Sequence, residues 1–500
     1  MEIAVVGSGY VGLVAGACFA ELGHNVTLVD NDQQKLAALR RGECPIHEKF
    51  LPELLERHRG AKLSFTDDLH SAVRRSQAIF IAVGTPPKHD GGADLSYVES
   101  VARGIASAID SYKVVVEKST VPVYTNSWIR KIMLLNGVPP ELFDVASNPE
   151  FLREGTAVAD FLYPDRIVVG ADTDRCAQVL EQAYRPLVDG SYSIKADAIP
   201  GPVEAPFKAH LIRTSAKSAE LIKHASNAFL AMKISFINAV ATVCEAVGAD
   251  VEQVRDGIGS DSRIGRRFLF PGIGYGGSCF PKDLLAFCAV ARDNGYRFGL
   301  LDETVKVNDE QRIRFLRKVS QALWTLKGKR LAVLGLAFKN GTDDIRESPA
   351  IAIIKSLLKE GCSVTAYDPA AMDRAAEEFA PGSVKFAEDA YDAMTGADAC
   401  LILTEWEDFA ALDLARVKAL LRYPIVVDGR NLFRPAQMQA AGLNYYSVGR
   451  PDVTGHPHAR PAIAQRKEAL PQEEAAQGPS ASLKVVTPGY PNGFSRSPDL

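Results

Sequence analysis

Short apolar runs alternate with helical stretches over the first part of the chain. Residues 3–6 form an apolar run that leads into a glycine loop, and residues 25–30 form a second run that ends on Asp30. Between them, an apolar helical stretch extends from Leu13 to Leu22 and ends at Gly23. Further strand patterns lie at 78–83, 113–117 and 143–147. This alternation predicts a doubly wound α/β domain with a parallel sheet.

The later part of the chain repeats the pattern after a long helix. Residues 216–247 contain neither Gly nor Pro and keep helical apolar spacing, which predicts one continuous helix. Strand patterns resume at Leu331 and continue to Asp428, so a second doubly wound domain follows. From about residue 451, Pro, Ala, Gly, Ser and Gln dominate, which is typical of disorder. We therefore predict a Rossmann domain at 1–205, a central helical domain at 206–318, a second Rossmann-like domain at 319–450 and a disordered tail at 451–500.

The first glycine loop has the context of a dinucleotide site. Gly7, Gly9 and Gly12 follow a predicted strand and open a predicted helix, and Asp30 closes the next strand. Such glycines admit a pyrophosphate to the helix N-terminus. A carboxylate at position 30 accepts hydrogen bonds from ribose hydroxyls and repels a 2′-phosphate, so NAD is favoured over NADP. The alternative is a glycine turn that binds no cofactor.

A second glycine-rich loop carries a thiol. Residues 274–283 place Cys279 after three glycines and just before Pro281, which suits the first turn of a helix. The positive end of that helix is expected to favour loss of the thiol proton. Asp283 follows four residues later and shares the helical face of Cys279. The stretch by itself is equally compatible with a nucleophile and with a structural cysteine in a tight turn.

Polar residues also stand where predicted strands end. Thr85, Thr120 and Glu150 follow three strands of the first domain, at the sheet edge where ligands bind in open α/β folds. Each alone could be ordinary turn chemistry. On the long helix, Lys223 and Asn227 share one face, although a solvated pair would have the same spacing.

The loops of the second domain supply cations. Lys339, Arg346 and Arg430 follow predicted strands, where they could hold phosphates or simply lie on the surface.

Composition narrows the class of protein. The chain has 500 residues and a net charge of −4, which gives no indication of nucleic-acid binding. Its eight cysteines form no CxxC pair, so neither a metal site nor a disulfide framework is predicted. No apolar run is expected to reach membrane-spanning length, and the N-terminus lacks the features of a signal peptide. A cytoplasmic, reducing location is expected.

Together these motifs identify a family resemblance. Residues 7–12, 148–155 and 276–283 resemble the nucleotide-sugar 6-dehydrogenases, and the likeness extends over about residues 1–450. Residues 151–155 fit the branch of the family that oxidises UDP-glucose. The resemblance implies oxidation of the sugar C6 alcohol to a carboxylate with two NAD, without release of the aldehyde. It also implies a homo-oligomer formed through the long helix, and a second Rossmann-like domain that binds the UDP-sugar.

The resemblance assigns the chemistry to named residues. Cys279 would form a thiohemiacetal and then a thioester, Lys223 with Asn227 would stabilise the oxyanion, and Glu150 would act as acid and base. Asp283 and Thr120 would position water. Cofactor contacts are implied for Gly7, Gly9, Tyr10, Val11, Gly12, Asp30, Lys35, Thr85, Thr120, Glu154, Lys282 and Arg346. Substrate contacts are implied for Phe151, Leu152, Arg153, Glu154, Lys223, Asn227, Arg263, Phe268, Leu269, Gly276, Lys339 and Arg430, with Arg263 able to reach a neighbouring subunit.

The sequence departs from the family pattern at two places, and three alternative functions stay open. Lys49 and Phe50 stand where the family commonly has Pro-Gly, and Phe270 replaces an often polar or basic residue. The same chemistry on GDP-mannose or a UDP-N-acetylhexosamine is the first alternative. A single-step hydroxyacid dehydrogenase shares the Lys and Asn helix but needs no thiol. A non-catalytic dinucleotide-binding regulator would need none of the thiol, the Lys or the carboxylates.

Overall fold

A computed structural model describes residues 1–88, 91–201 and 206–454. Most of the predicted tail therefore lies outside the described residues. Described residues form two sheets with a helical region between them, which confirms the predicted fold class. The boundaries of the predicted domains stay predictions.

The first sheet has eight strands in the order β3-β2-β1-β4-β5-β6-β7-β8. These strands are β1 (Glu2–Val6), β2 (Asn25–Val29), β3 (Leu63–Thr66), β4 (Ala78–Ile81), β5 (Lys113–Glu117), β6 (Phe143–Ser147), β7 (Arg166–Ala171) and β8 (His210–Thr214). All neighbours are parallel except β6 and β7, which run antiparallel. Strands β4 and β5 are buried along their whole length, as expected for a sheet covered on both faces.

Helices cover the first sheet, as the alternating pattern predicts. They are α1 (Tyr10–Glu21), α2 (Gln33–Arg41), α3 (Leu51–His58), α4 (Leu69–Arg75), α5 (Ser96–Ala106), α6 (Thr125–Leu135), α7 (Ala157–Leu162) and α8 (Asp174–Val188), with a 3₁₀ turn at Pro140–Leu142. The order of β4, β5 and β6 brings the loops that follow these three strands to one edge, where Thr85, Thr120 and Glu150 lie.

Four helices form the central region: α9 (Ala216–Val247), α10 (Val251–Gly259), α11 (Phe280–Asp293) and α12 (Gly299–Leu323). The bounds of α9 agree with the helix predicted from the absence of Gly and Pro. Ser215 caps its N-terminus by accepting a hydrogen bond from the Ser218 N–H, and Gly248 ends it in the left-handed conformation.

The second sheet has six parallel strands in the order β11-β10-β9-β12-β13-β14. They are β9 (Arg330–Leu334), β10 (Ser363–Tyr367), β11 (Val384–Phe386), β12 (Ala399–Ile402), β13 (Ile425–Asp428) and β14 (Asn444–Ser447). Its helices are α13 (Pro349–Lys359), α14 (Met372–Ala376), α15 (Ala390–Met394), α16 (Glu407–Ala410), α17 (Leu414–Leu420) and α18 (Pro435–Ala440).

Within the described residues, α9 is the one helix long and apolar enough to cross a membrane by length and composition, and 33% of its most apolar 18-residue window is buried. The expectation that no stretch reaches this length is wrong by that measure. A single such helix is weak evidence for a span, because the core helix of a soluble protein passes the same test. Here α9 packs against α11 and α12 and buries the polar side chains of Lys223, His224 and Asn227.

Phe50, which replaces the glycine common in the family, takes the left-handed conformation with φ of 69° just before α3. The loop therefore keeps a backbone shape that glycine adopts without strain. Phe50 packs against the apolar core of the first domain, and the Lys49 ammonium lies 5.0 Å from the centre of its ring.

We predict that Gly12→Ala destabilises the protein by about 3 kcal/mol, whereas Gly9→Ala changes its stability by less than about 0.5 kcal/mol. A Cβ at position 12 would lie 1.8 Å from the Gly7 carbonyl oxygen, and one at position 9 would meet no atom within 4 Å. The clash exceeds the roughly 1 kcal/mol that alanine gains over glycine in a helix. Urea unfolding of both variants measures the difference, and equal stabilities would contradict the packing seen here.

Candidate functional site

The thiol of Cys279 stands at the start of α11, where the residue forms the N-cap. The preceding loop passes close to the second domain, because a Cβ at Gly276 would lie 2.1 Å from the Glu347 carbonyl oxygen. Gly277 has φ of 84° and donates its N–H to the Arg346 carbonyl oxygen at 3.0 Å. Glycine is required at both positions, so the loop carries the thiol to the place where the two sheets meet.

The free Cys279 thiol is harder to ionise than the helix position suggests. Burial raises the pKa of Cys279, and the nearby carboxylates of Glu150 and Asp283 raise it further, while Lys223 and Lys282 lower it. The sequence-based expectation of a lowered pKa is therefore wrong for the ligand-free protein. Loss of hydration and the two carboxylates outweigh the helix end and the two ammonium groups.

Lys223 and Glu150 form a buried ion pair in which Lys223 Nζ donates to Glu150 Oε1 at 2.8 Å. Burial alone would lower the pKa of Lys223, but Glu150, Cys279 and Asp283 together hold it above its ordinary value. Burial likewise acts to raise the pKa of Glu150, but Lys223 and the Leu152 N–H together hold it below its usual range. The pair is therefore charged, and the solvated alternative for Lys223 does not apply.

Asn227 and Asp283 form the second contact between α9 and α11. Asn227 Nδ2 donates to Asp283 Oδ2 at 2.6 Å, and both side chains are buried. Asp283 lies one turn after Cys279 and donates its N–H to the Cys279 carbonyl oxygen at 3.0 Å. Lys282 Nζ lies 4.0 Å from Asp283 Oδ1. The structure thus groups Cys279, Lys223, Glu150, Asn227 and Asp283 in one cluster.

Thr120 and Thr85 lie beside this cluster. The Thr85 hydroxyl donates to the Thr120 carbonyl oxygen at 2.8 Å, which ties together the loops after β4 and β5. Thr120, Lys282 and Asp283 line one small cavity with Thr85. The predicted water-handling residues therefore face a shared space.

The glycine loop has the geometry of a dinucleotide site. Gly9 is the N-cap of α1 without a side-chain cap, so the first N–H groups of the helix have no side-chain acceptor there. The open space at Gly9 and the left-handed Gly7 leave room for a pyrophosphate at this helix end. Tyr10 and Val11 begin the helix itself. These residues fit NAD.

Asp30 directly follows β2, in the position expected for a residue that binds the ribose of the cofactor. Its Oδ2 accepts the Ser8 N–H at 2.8 Å and the Ser8 hydroxyl at 2.6 Å, and Lys35 Nζ lies 3.4 Å away. Burial opposes ionisation, but the Ser8 and Asp32 hydrogen bonds and the Lys35 charge together lower the pKa of Asp30. The carboxylate is charged and oriented by the loop that would hold the pyrophosphate.

Glu154 links the loop after β6 to the second domain. Its Oε1 accepts hydrogen bonds from Ser278 Oγ at 3.2 Å and from Arg346 Nη2 at 3.3 Å. Burial and the neighbouring Asp344 raise the pKa of Glu154 to about 7, against the opposing effect of Arg346. Arg346 also pairs with Asp344 at 2.7 Å, so the cation predicted to hold a phosphate is already bound by two carboxylates.

Residues 151–153 follow Glu150 and surround it. The Leu152 N–H donates to Glu150 Oε2 at 2.6 Å, and the Phe151 ring centre lies 5.5 Å from Lys223 Nζ. Arg153 forms an ion pair with Asp160 at 2.6 Å. Phe151 and Leu152 therefore contact the buried pair from the side of the first domain.

The predicted nucleotide contacts are spread over the central region and the second sheet. Burial lowers the pKa of Lys339, which stands in the loop after β9. Arg430 follows β13 and donates to the Phe338 carbonyl oxygen at 2.9 Å. Phe268 has φ of 65°, and Leu269 is buried.

Arg263 lies in the loop after α10. It pairs with Asp261, and its side chain is 86% exposed. Its contact with a neighbouring subunit stays a prediction.

Sequence reasoning missed two polar groups. Lys118 is fully buried, with Nζ 3.0 Å from Asn148 Oδ1, and burial lowers its pKa to about 8. Glu48 is also buried and accepts hydrogen bonds from the Tyr10 hydroxyl and from the Gly155 N–H, the latter at 2.7 Å. The only signal for Glu48 was its place directly before Lys49 and Phe50, where the resemblance to the family is interrupted. Lys118 gave no signal, because lysine is usually exposed.

Within the described residues, no group of three or more His, Cys, Asp or Glu side chains is placed to hold a metal ion. All eight cysteines are free thiols.

Known proteins are similar to this chain over most of its length. Three domain models of the UDP-glucose/GDP-mannose dehydrogenase family match the chain: the NAD binding domain at residues 1–188, the central domain at 217–310 and the UDP binding domain at 332–435. UDP-glucose 6-dehydrogenase TuaD of Bacillus subtilis is 46% identical over 91% of this chain and 94% of its own length.

Two solved structures have the same fold and are more than 25% identical to this chain in sequence. The UDP-glucose dehydrogenase of Pyrobaculum islandicum is 37% identical with a TM-score of 0.80, covering 90% of this chain and 98% of that one. The UDP-D-ManNAc dehydrogenase of Pyrococcus horikoshii is 27% identical with a TM-score of 0.76, covering 91% of this chain and 100% of that one.

Proposed function

The chain belongs to the UDP-glucose/GDP-mannose dehydrogenase family and is an NAD-dependent nucleotide-sugar dehydrogenase, and from this premise we propose that it oxidises UDP-glucose to UDP-glucuronate. The observation that carries the proposal is the buried cluster that joins the Cys279 thiol to Lys223, Glu150, Asn227 and Asp283. A reaction with one oxidation would need no thiol. The cluster therefore supports a four-electron oxidation at C6 that uses two NAD per sugar.

Cys279 retains the aldehyde between the two oxidations. The C6 alcohol loses a proton and a hydride to become an aldehyde, and the thiolate then adds to its carbonyl carbon. The thiohemiacetal so formed has a tetrahedral carbon that loses the second hydride while its hydroxyl gives up a proton, which leaves a thioester. Bound NAD supplies the hydride acceptor in each oxidation. Water then adds to the thioester, the C–S bond breaks, and the carboxylate and the Cys279 thiol are released.

Lys223 connects the thiol to the developing oxyanion. Its ammonium lowers the pKa of Cys279 and is itself held by Glu150 at 2.8 Å. An ammonium and the Asn227 amide beside the thiol suit the negative oxygen of each tetrahedral intermediate. Glu150 can take and return protons through this pair, and Asp283 with Thr120 can hold the attacking water.

The proposed substrate rests on two observations. The UDP binding domain model matches residues 332–435, and the curated relative at 46% identity is named for UDP-glucose. We assign the pyrophosphate to Lys339 and Arg430, and the sugar to residues 151–154 with Lys223 and Asn227. Phe268, Leu269 and Gly276 would contact the nucleotide, and Arg263 the site of a neighbouring subunit.

The alternatives are weaker. A UDP-N-acetylhexosamine is the substrate class named for the relative at 27% identity, which is less similar than the UDP-glucose dehydrogenase at 37%. GDP-mannose would not use a uridine site. A hydroxyacid dehydrogenase would leave Cys279 without a role, and a binding regulator would have no use for the buried Lys223–Glu150 pair.

We also propose a cytoplasmic homo-oligomer, with no membrane or nucleic-acid partner, that assembles through α9. Phe229, Phe236 and Val243 follow one another at seven-residue intervals on this helix and are 57%, 54% and 60% exposed. Such a stripe lies on one face, where a second copy would cover it.

Sedimentation equilibrium of the wild-type protein should give at least twice the chain mass, and Phe236→Glu should lower the measured mass. A monomeric wild-type protein would contradict this assembly.

We expect two NADH to form for each UDP-glucose consumed, because the thiol retains the aldehyde for a second oxidation. Absorbance at the NADH band against product measured by chromatography gives the ratio. GDP-mannose and UDP-N-acetylmannosamine, assayed beside it with NAD, should turn over at least about tenfold more slowly, a factor that one lost polar contact supplies. A ratio of one NADH per sugar is incompatible with the thioester route.

Replacing the thiol should stop the reaction midway. In Cys279→Ser, the first oxidation or a slowly hydrolysed ester should be the end point, and steady turnover should fall at least about a hundredfold. Cys288→Ser, on the same helix, is the matched control and should keep nearly full activity. Intact mass spectrometry with UDP-glucose and NAD detects the trapped ester, and wild-type turnover in Cys279→Ser would remove the thiol from the mechanism.

A further inference from the structure

His224 lies on α9 next to Lys223 and is 1% exposed. Its Nε2 is 2.7 Å from the carbonyl oxygen of Val121. Because a carbonyl oxygen only accepts hydrogen bonds, Nε2 carries the ring hydrogen and, in the neutral ring, Nδ1 is a bare acceptor. Among the described residues, Nδ1 has no hydrogen-bond partner although it is fully buried. A buried polar atom without a partner is uncommon in a native fold.

The His224 ring lines the small cavity beside the catalytic cluster. Other lining side chains are Thr85, Thr120, Lys282 and Asp283. Hydroxyl, ammonium and carboxylate groups around a narrow space are the partners that a buried water requires. Asp283 reaches the cavity from the turn that follows Cys279 and is held by Asn227 at 2.6 Å. The ring that carries the unpartnered acceptor is therefore part of the cavity wall.

We propose that His224 Nδ1 accepts a hydrogen bond from a water in this cavity and thereby positions that water for cleavage of the Cys279 thioester. The inference rests on the proposed function, since it assigns a residue to the hydrolytic half of that reaction. Asp283 and Thr120 line the same cavity and contact the same water. With His224 Nδ1 and the Asp283 carboxylate accepting its two hydrogens, the water keeps an oxygen lone pair free to attack the thioester carbon.

The hydrolytic step balances with these groups. The water oxygen forms a bond to the thioester carbonyl carbon, and one water proton passes to the Asp283 carboxylate. The C–S bond then breaks, Sγ of Cys279 leaves with the bonding pair, and that proton returns to sulfur. The second water proton stays on the product carboxylic acid, which releases it to solvent as it ionises to the carboxylate. His224 gains and loses no proton, so it is a positioning residue.

Two substitutions separate the two nitrogens of the ring. Gln places an amide N–H near the position of Nε2, so His224→Gln keeps a donor for the Val121 carbonyl but has no acceptor at Nδ1. Asn places its amide oxygen near the position of Nδ1, so His224→Asn keeps that acceptor and loses the bond to Val121. Both variants remove the ring. A difference between their rates of thioester hydrolysis therefore shows which ring nitrogen the reaction requires.

The measurement is the rate of thioester hydrolysis. UDP-glucose and NAD are mixed rapidly with excess enzyme, the burst of NADH is recorded, and the Cys279 adduct is followed by intact mass spectrometry. We expect His224→Gln to slow loss of the adduct about tenfold, as expected when one hydrogen bond to the water is lost. His224→Asn should lose the adduct within about threefold of the wild-type rate. The two-NADH burst should be unchanged in both.

The outcomes distinguish this inference from the proposed function. If wild-type enzyme forms no Cys279 adduct, the thioester route itself fails. If the adduct forms and both variants, or neither, accumulate it, the role of Nδ1 is overturned. A crystal structure of the wild-type protein gives an independent test that survives misfolding of a variant. It should contain a water within hydrogen-bond distance of His224 Nδ1, and a dry cavity would refute the proposal.

Discussion

The buried ion pair between Lys223 and Glu150 is the interaction on which the site depends. Glu150 follows β6 at the edge of the first sheet, and Lys223 lies on α9, so the 2.8 Å contact joins two parts of the chain far apart in sequence. Removing one partner of such a pair leaves an uncompensated buried charge, which costs about 3–5 kcal/mol. Both charges are therefore retained together, and the thiol, the amide and the second carboxylate are arranged around them.

The Lys223 ammonium influences two acidic groups, the Glu150 carboxyl and the Cys279 thiol. Lys223 is paired with Glu150 in the ligand-free protein, and the same charge is the main influence that favours the Cys279 thiolate. Burial and Glu150 oppose ionisation of the thiol more strongly than Lys223 promotes it. The Cys279 side chain is therefore largely a thiol in the ligand-free protein. This balance protects a buried cysteine from unwanted reaction, because the thiolate is the reactive form.

Close backbone contacts hold the loops of the site against the second domain. A Cβ at Gly155 would lie 2.4 Å from the Gly341 carbonyl oxygen, and a Cβ at Gly276 would meet Glu347. Glycines at these two points let the loop after β6 and the thiol loop touch the second domain directly. Glu154 then reaches Arg346 across the same contact. The site is assembled between the two sheets by loops that have no side chains at the points of closest approach.

Local pattern alone predicted many of the elements of this protein, because burial gives strands and helices their periodicities. It did not predict β3, β7 or β8. The Gly7–Gly12 loop, the helix at 216–247 and the strand ends at Thr85, Thr120 and Glu150 all follow from spacing that is visible in the chain. Other features could not be predicted from this spacing. They are the antiparallel direction of β7, the burial of Lys118, the contact of Glu48 with Tyr10 and the raised pKa of Cys279. Each of these depends on which distant groups become neighbours and on how much water remains, and only the tertiary structure decides both.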